Sequence, residues 1–174
     1  WELLPSLLEF TGFGPKWREW ISALFLTSST KVLVNWALTD QILHRKGLRQ
    51  GDPLSPLLFV LVVDCLGRLM NTAQAHGVLA PLGTQTIRHR ASIYADDVII
   101  FSKPLLSEIN AVSQILNLFG NATGLKTNMV KSKIIPIQCE HIDLSDIQTA
   151  LGCQLGSFPC TYLGMPLSDR RLKW

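Results

Sequence analysis

A chain of 174 residues with 47% hydrophobic and 17% charged positions can bury a real core as one domain, which excludes an intrinsically disordered segment. Sixteen basic residues against thirteen acidic leave a formal net charge of +3, compatible with a nucleic-acid partner without requiring one. The four cysteines, Cys65, Cys139, Cys153 and Cys160, include no Cys-x-x-Cys pair and make no zinc-type set, so reduced thiols and an intracellular protein are expected.

In chain order, Trp1 to Phe10 carries Leu4, Leu7 and Leu8 at helical spacing, with Pro5 expected to kink any helix entering from upstream. Gly12 and Gly14 break the pattern, and Pro15 suits the first turn of the next helix. There Trp17, Trp20, Ile21, Leu24 and Phe25 follow the i, i+3, i+4, i+7, i+8 spacing of one buried stripe. Thr30 to Trp36 alternates and reads as a strand, and Asp40 to Lys46 reads as a polar connection. Residues 47–56, Gly-Leu-Arg-Gln-Gly-Asp-Pro-Leu-Ser-Pro, hold two glycines and two prolines and stay out of regular structure. Ser55 before Pro56 has the order of an N-cap and a first helical residue.

Leu57 to Leu69 is predicted as a helix buried on more than one side, with Asp64 and Arg68 spaced to pair. Its uninterrupted apolar run, Leu57 to Val63, is shorter than a bilayer requires, so no membrane span is expected. Ala75 to Gln85 is a loop. Ile109, Val112, Ile115, Leu116 and Phe119 predict a second amphipathic helix stopped at Gly120. Lys133 to Gln138 reads as a strand, and Ser145 with Gln148 resembles a capping box for a short helix ending near Gly152. Phe158 to Leu167 is expected to be extended.

Ala91 to Lys103 organises the rest. Ile87, His89, Ala91 and Ile93 alternate with Arg88, Arg90, Ser92 and Tyr94, as in a strand with one wet face. Val98-Ile99-Ile100-Phe101 is a short apolar run, as in a strand covered on both faces. Between them stand Asp96 and Asp97. On a straight strand neighbouring side chains diverge, but a tight hairpin presents both at one end of a sheet. Two carboxylates held that close repel unless a hard cation such as Mg²⁺ lies between them. Asp is also an ordinary turn residue, and the pair alone says little about metal. Arg88 and Arg90, projecting from the wet face, suit either phosphate contacts or the solvation of an edge strand.

The motifs together are specific. Residues 47–56, Tyr-Ala-Asp-Asp at 94–97, Gly-Leu-Lys-Thr-Asn-Met-Val-Lys-Ser at 124–132 and Tyr-Leu-Gly-Met-Pro-Leu at 162–167 with Arg170-Arg171 behind stand in one order along the chain. In that order they resemble the blocks of non-LTR (LINE-type, plant-like) retrotransposon reverse transcriptases. The resemblance implies an α+β polymerase palm: a small antiparallel sheet bearing the Tyr-Ala-Asp-Asp hairpin, helices packed on one face, and an N-terminal truncation. It implies a partial palm with elements bordering the fingers over residues 1–160, and a primer-grip region with the start of the thumb over 161–174.

The implied reaction is RNA-directed DNA polymerisation, a two-metal nucleotidyl transfer onto a primer 3′-hydroxyl. Its implied cofactor is Mg²⁺, or Mn²⁺ in its place. Asp96 and Asp97 are the expected catalytic and metal-holding residues, and Lys131 the expected cation near the triphosphate. Gln50, Gly51 and Tyr94 are expected at the nucleotide, and Tyr162, Leu163 and Gly164 at the primer. The implied partners are an RNA template, a DNA primer, deoxynucleoside triphosphates and the rest of the retroelement polyprotein, with no membrane. The nucleus is the expected compartment of the parent element, with the cytoplasm as the alternative. The family's further catalytic aspartate lies upstream of a helix start that Trp1-Glu2-Leu3-Leu4 resembles, so residues 1–174 alone are expected to be inactive. A non-catalytic nucleic-acid-binding remnant of a retroelement is the alternative reading. A metal-dependent phosphohydrolase with an acidic hairpin is disfavoured, because it needs no block like 47–56 or 162–167.

Overall fold

The structure, a computed structural model, describes residues 3–83 and 89–170. In chain order these form α1 (Leu3–Phe10), α2 (Pro15–Leu26), β1 (Ser29–Thr30), β2 (Leu33–Val34), β3 (Ala37–Leu38), β4 (Ile42–Leu43) and α3 (Ser55–Ala75). There follow β5 (Ala91–Tyr94), β6 (Asp97–Ile100), α4 (Leu106–Thr123), β7 (Lys133–Ile134), α5 (Ser145–Leu151), β8 (Gln154–Leu155), β9 (Cys160–Tyr162) and β10 (Met165–Leu167). Two compact units divide the chain, Trp1–Asp64 and Cys65–Trp174, and the division falls inside α3.

In the first unit Leu4, Leu8, Ile21 and Leu58 form the core, with Phe13, Trp17 and Phe25 packed on it. Pro5 lies within α1, in its first described turn. The helix start expected at Trp1 and Glu2 lies outside the described residues. The expected five-residue stripe of α2 is narrower than its spacing suggests: Ile21 is buried, Trp17 and Phe25 are half-buried, and Trp20 and Leu24 are exposed. Phe13 stacks on Trp17 at 4.6 Å between centroids, whereas Trp20 is met by the Lys16 ammonium, 5.3 Å from its ring centroid.

The strand expected over Thr30 to Trp36 is broken. Asn35 and Trp36 adopt φ of 50° and 66° and form the turn between β2 and β3, which pair as Leu33↔Leu38 and Val34↔Ala37. The supposed polar connection contains β4, which pairs with β1 as Ser29↔Leu43 and Thr30↔Ile42. Ser55 does not cap α3: Asp52 accepts the Leu54 N–H at 2.9 Å, while the Ser55 hydroxyl is buried without a partner among the described residues. Nor is α3 buried on several sides, since Leu57 and Val60 are exposed while Leu58, Val63, Leu66 and Met70 are buried. By length and composition alone α3 could cross a bilayer, a property its seven-residue apolar run did not suggest. Leu58, however, is seated in a protein core.

In the second unit β5 and β6 pair antiparallel, and Ile93 lies against α3 at Gly67, 4.0 Å from where a Cβ there would stand. Of the strand expected from Ile87, Ala91–Tyr94 is strand and His89 and Arg90 are not, while residues 84–88 lie outside the described residues. Val98 and Phe101 are exposed, so β6 is not covered on both faces. Helix α4 continues past Gly120 to Gly124, whose φ of 78° ends it; a Cβ on Gly120 would stand 3.3 Å from the Leu125 carbonyl. Helix α4 packs against α5. The α5 start is not the expected capping box: Asp143 accepts the Ser145 N–H at 2.9 Å, which holds its carboxyl below the usual range. Gly152 ends α5 with a φ of 67°, as the spacing predicts.

Strand β7 pairs with β8 in parallel, and β9 pairs with β10 through a turn at Leu163 and Gly164, with φ of 51° and 77°. The α+β class therefore stands. The strands, two to four residues long, are spread over separate two-stranded ladders among the described residues and do not share one sheet. The four cysteines are free thiols, and burial raises the Cys153 pKa.

Candidate functional site

The β5–β6 ladder places the acids. Its register is Ala91↔Ile100, Ser92↔Ile99, Ile93↔Val98 and Tyr94↔Asp97, so Ala95 and Asp96 form the two-residue turn. Sequence spacing put both acids in the turn; the structure gives Asp97 to the first pair of the ladder. Ala95 holds φ at 51°, a left-handed conformation usually left to glycine, and such outliers are retained where the surroundings demand them. Tyr94, Asp96 and Asp97 are all exposed. Neither carboxylate takes part in a hydrogen bond or ion pair among the described residues.

Those two carboxylates could share one hard cation, because Mg²⁺ retains several waters and needs few protein ligands. Among the described residues no group of three or more His, Cys, Asp or Glu side chains stands ready to hold a metal. The pair thus suits one loosely held ion, and among the described residues no third carboxylate stands beside it to bridge two.

Lys131 is exposed in a turn whose backbone is fixed by Asn128, which accepts the Lys131 N–H through its side chain and its carbonyl, each at 3.2 Å. Tyr162 is half-buried with its hydroxyl unpartnered among the described residues, and Leu163 and Gly164 are the turn beside it. Gln50 and Gly51 belong to the first unit, the other site residues to the second. Gln50 lines an open cleft of about 640 Å³ together with Thr30, His44, Lys46, Arg49 and Asp52. Gly51 takes φ of 82°, and nothing lies within 4 Å of where its Cβ would be, so its backbone faces open space.

One expectation is overturned. Arg90 does not project from a wet face; it is 1% exposed and donates to Glu108 Oε1 at 2.7 Å. Arg88 lies outside the described residues. Strand alternation assigned Arg90 to solvent because it reports which face a side chain occupies, not what covers that face. Glu108 was missed as well, although a signal existed: it stands beside Ile109 and one turn before Val112, on the buried stripe of α4. Its desolvation, which raises the pKa, is outweighed by hydrogen bonds from the Lys103 N–H, Arg90 and the Ala80 N–H and by the Arg90 charge, so the net shift is downward.

Residues 2–167 match the family model described as reverse transcriptase (RNA-dependent DNA polymerase). The chain is similar to the transposon TX1 uncharacterized 149 kDa protein of Xenopus laevis, 28% identical over 75% of this chain and 10% of that protein. It is 31% identical to the Pol polyprotein of retrotransposable element R2DM of Drosophila melanogaster, over 68% of this chain and 11% of the relative. An uncharacterized mitochondrial protein of Arabidopsis thaliana is 37% identical over 37% of this chain and 55% of its own length. The chain thus spans about a tenth of the TX1 and R2DM proteins.

Proposed function

The chain belongs to the reverse transcriptase (RNA-dependent DNA polymerase) family, and from that premise we propose that it is the partial palm of a LINE-type retrotransposon enzyme that extends a DNA primer on an RNA template. The observation that carries this reading is the strained turn after Tyr94, which presents the exposed, unengaged Asp96 and Asp97 at the head of the β5–β6 ladder. In this reading the ladder is the family's catalytic hairpin, residues 1–160 are palm with elements bordering the fingers, and 161–174 begin the primer grip and thumb.

Asp96 and Asp97 would hold divalent cation, Mg²⁺ or Mn²⁺. Bound there, such ions would neutralise the departing phosphates and activate the primer 3′-hydroxyl. Asp96 would be the more direct ligand and Asp97 its partner. Gln50 offers a donor and an acceptor at the rim of an open cleft, and Gly51 lets a base or sugar approach the backbone. Tyr94 supports the primer end, Tyr162 to Gly164 the primer strand, and Lys131 the charge of the departing pyrophosphate. The substrates are deoxynucleoside triphosphates, the macromolecular partners RNA template, DNA primer and the remaining polyprotein, and the compartment the nucleus or cytoplasm.

The same proposal holds that residues 1–174 by themselves are inactive as a polymerase, because a pair of carboxylates alone does not enforce the in-line geometry of a two-metal transfer. The test is primer extension on RNA by the full retroelement polypeptide carrying this domain, beside Asp96→Asn and Asp97→Asn. Loss of extension in both variants supports the reading. Unchanged extension removes the pair from the mechanism. Salt-sensitive binding of nucleic acid without incorporation favours a non-catalytic remnant.

A further inference from the structure

Only four residue pairs make up the β5–β6 ladder. Register is strongly specified where a ladder buries one face, and a slip of one residue sends every side chain to the opposite side. Here burial specifies it weakly, and the two-residue turn that also sets register passes through the strained Ala95, at φ of 51°. Ser92, Tyr94, Asp97 and Val98 are exposed, and Ala91, Ile93, Ile99 and Ile100 are only half-buried.

One residue below the ladder the environment reverses. Arg90 and Glu108 are 1% and 3% exposed. The Arg90 carbonyl accepts the Phe101 N–H at 2.8 Å, and Arg90 Nη1 donates to the Phe101 carbonyl at 3.4 Å. Arg90 Nε donates to Gln74 Oε1 at the end of α3, and Nη1 to Glu108 Oε1, both at 2.7 Å. On the outgoing strand's side, Glu108 Oε1 accepts the Ser102 hydroxyl at 3.2 Å and the Lys103 N–H at 3.0 Å, while Oε2 accepts the Ala80 N–H at 3.1 Å. A single carboxylate from α4 therefore ties both strands at the end away from the acids, four residues or about 14 Å from Tyr94.

We propose that the Arg90–Glu108 pair is the register pin of this ladder, and through it a positioning device for Asp96 and Asp97. Stability alone is a poor reason for the pair, because Arg90 Nη2 is buried without a partner among the described residues and well-packed apolar residues can replace buried pairs without loss. A pin, in contrast, requires fixed directions, which an apolar contact does not supply.

The register half stands without the polymerase reading; the positioning half rests on it. The test replaces the pair by Arg90→Met with Glu108→Leu. In the isotope-labelled 174-residue chain, backbone NOEs linking Ser92 with Ile99 should weaken or become heterogeneous while the cooperative melt persists. Unchanged NOEs overturn the pin. If the double variant fails to fold, Arg90→Lys, which keeps the charge and loses the fork, is read by the same NOEs. In the full retroelement polypeptide the same substitutions should lower kcat on the order of 10²-fold with KM for the nucleotide unchanged. An unchanged kcat overturns the positioning role. A wild-type polypeptide without activity refutes the polymerase reading and leaves the NOEs to decide the pin.

Discussion

Arg90 Nη1 lies 2.7 Å from Glu108 Oε1, with both side chains closed to solvent. Removing one partner of such a pair strands the other charge. Glu108→Ala should therefore cost about 3–5 kcal/mol, read in urea melts of the chain. A cost below 1 kcal/mol would show that water reaches Arg90 freely.

The same carboxylate sets an acid limit. The folded pKa of Glu108 lies below its ordinary value of 4.5. Its contribution is thus fully present above that value and is lost as pH falls through the folded pKa. Wild type should lose stability below about pH 4.5 more steeply than Glu108→Gln, when melting is followed against pH. Parallel curves would contradict this.

Trp36 occupies φ of 66° and is 94% exposed, so it meets a backbone penalty without compensating burial. Asn-Gly is the preferred pair in a two-residue turn with both φ positive. Trp36→Gly should stabilise the β2–β3 turn by about 1 kcal/mol, seen as slower hydrogen exchange at Val34 and Ala37. Faster exchange would mean that Trp36 packs in solution.

Gly120 lies inside α4, where alanine ordinarily gains about 1 kcal/mol over glycine. A Cβ there would crowd the Leu125 carbonyl at 3.3 Å, a backbone atom with little room to yield. Gly120→Ala should lose about 1 kcal/mol on thermal melting. A raised Tm would show that the segment after α4 gives way.

Leu57 and Leu58 are adjacent on α3 and differ completely in environment, 63% against 1% exposed. Leu58→Ala should cost about 2–5 kcal/mol. Leu57→Ala should stay within about 0.5 kcal/mol. Equal losses in denaturant melts would place a second packed layer over Leu57.

The chain's own residues determined the helices and the order of the motifs. Periodic leucines and valines, Pro15 and Gly152 act within a few residues of themselves, so α1, α2, α4 and α5 were legible from local chemistry, although α4 ends at Gly124 and not at the expected Gly120. The four family blocks were legible for the same reason, each being contiguous. What alternation and helical spacing encode is direction, and direction does not say whether a neighbour stands on that side. Arg90 was assigned to solvent and is buried because Glu108, eighteen residues on, meets it from α4. Trp20, Leu24, Leu57 and Val60 were assigned to cores and are exposed because no element in the described structure covers their side of the helix. Residues 30–36 alternate like one strand, yet Asn35 and Trp36 turn because β2 pairs with β3 and β1 with β4. Burial, register and the pairing of distant charges are properties of two surfaces meeting, and only tertiary structure brings those surfaces together.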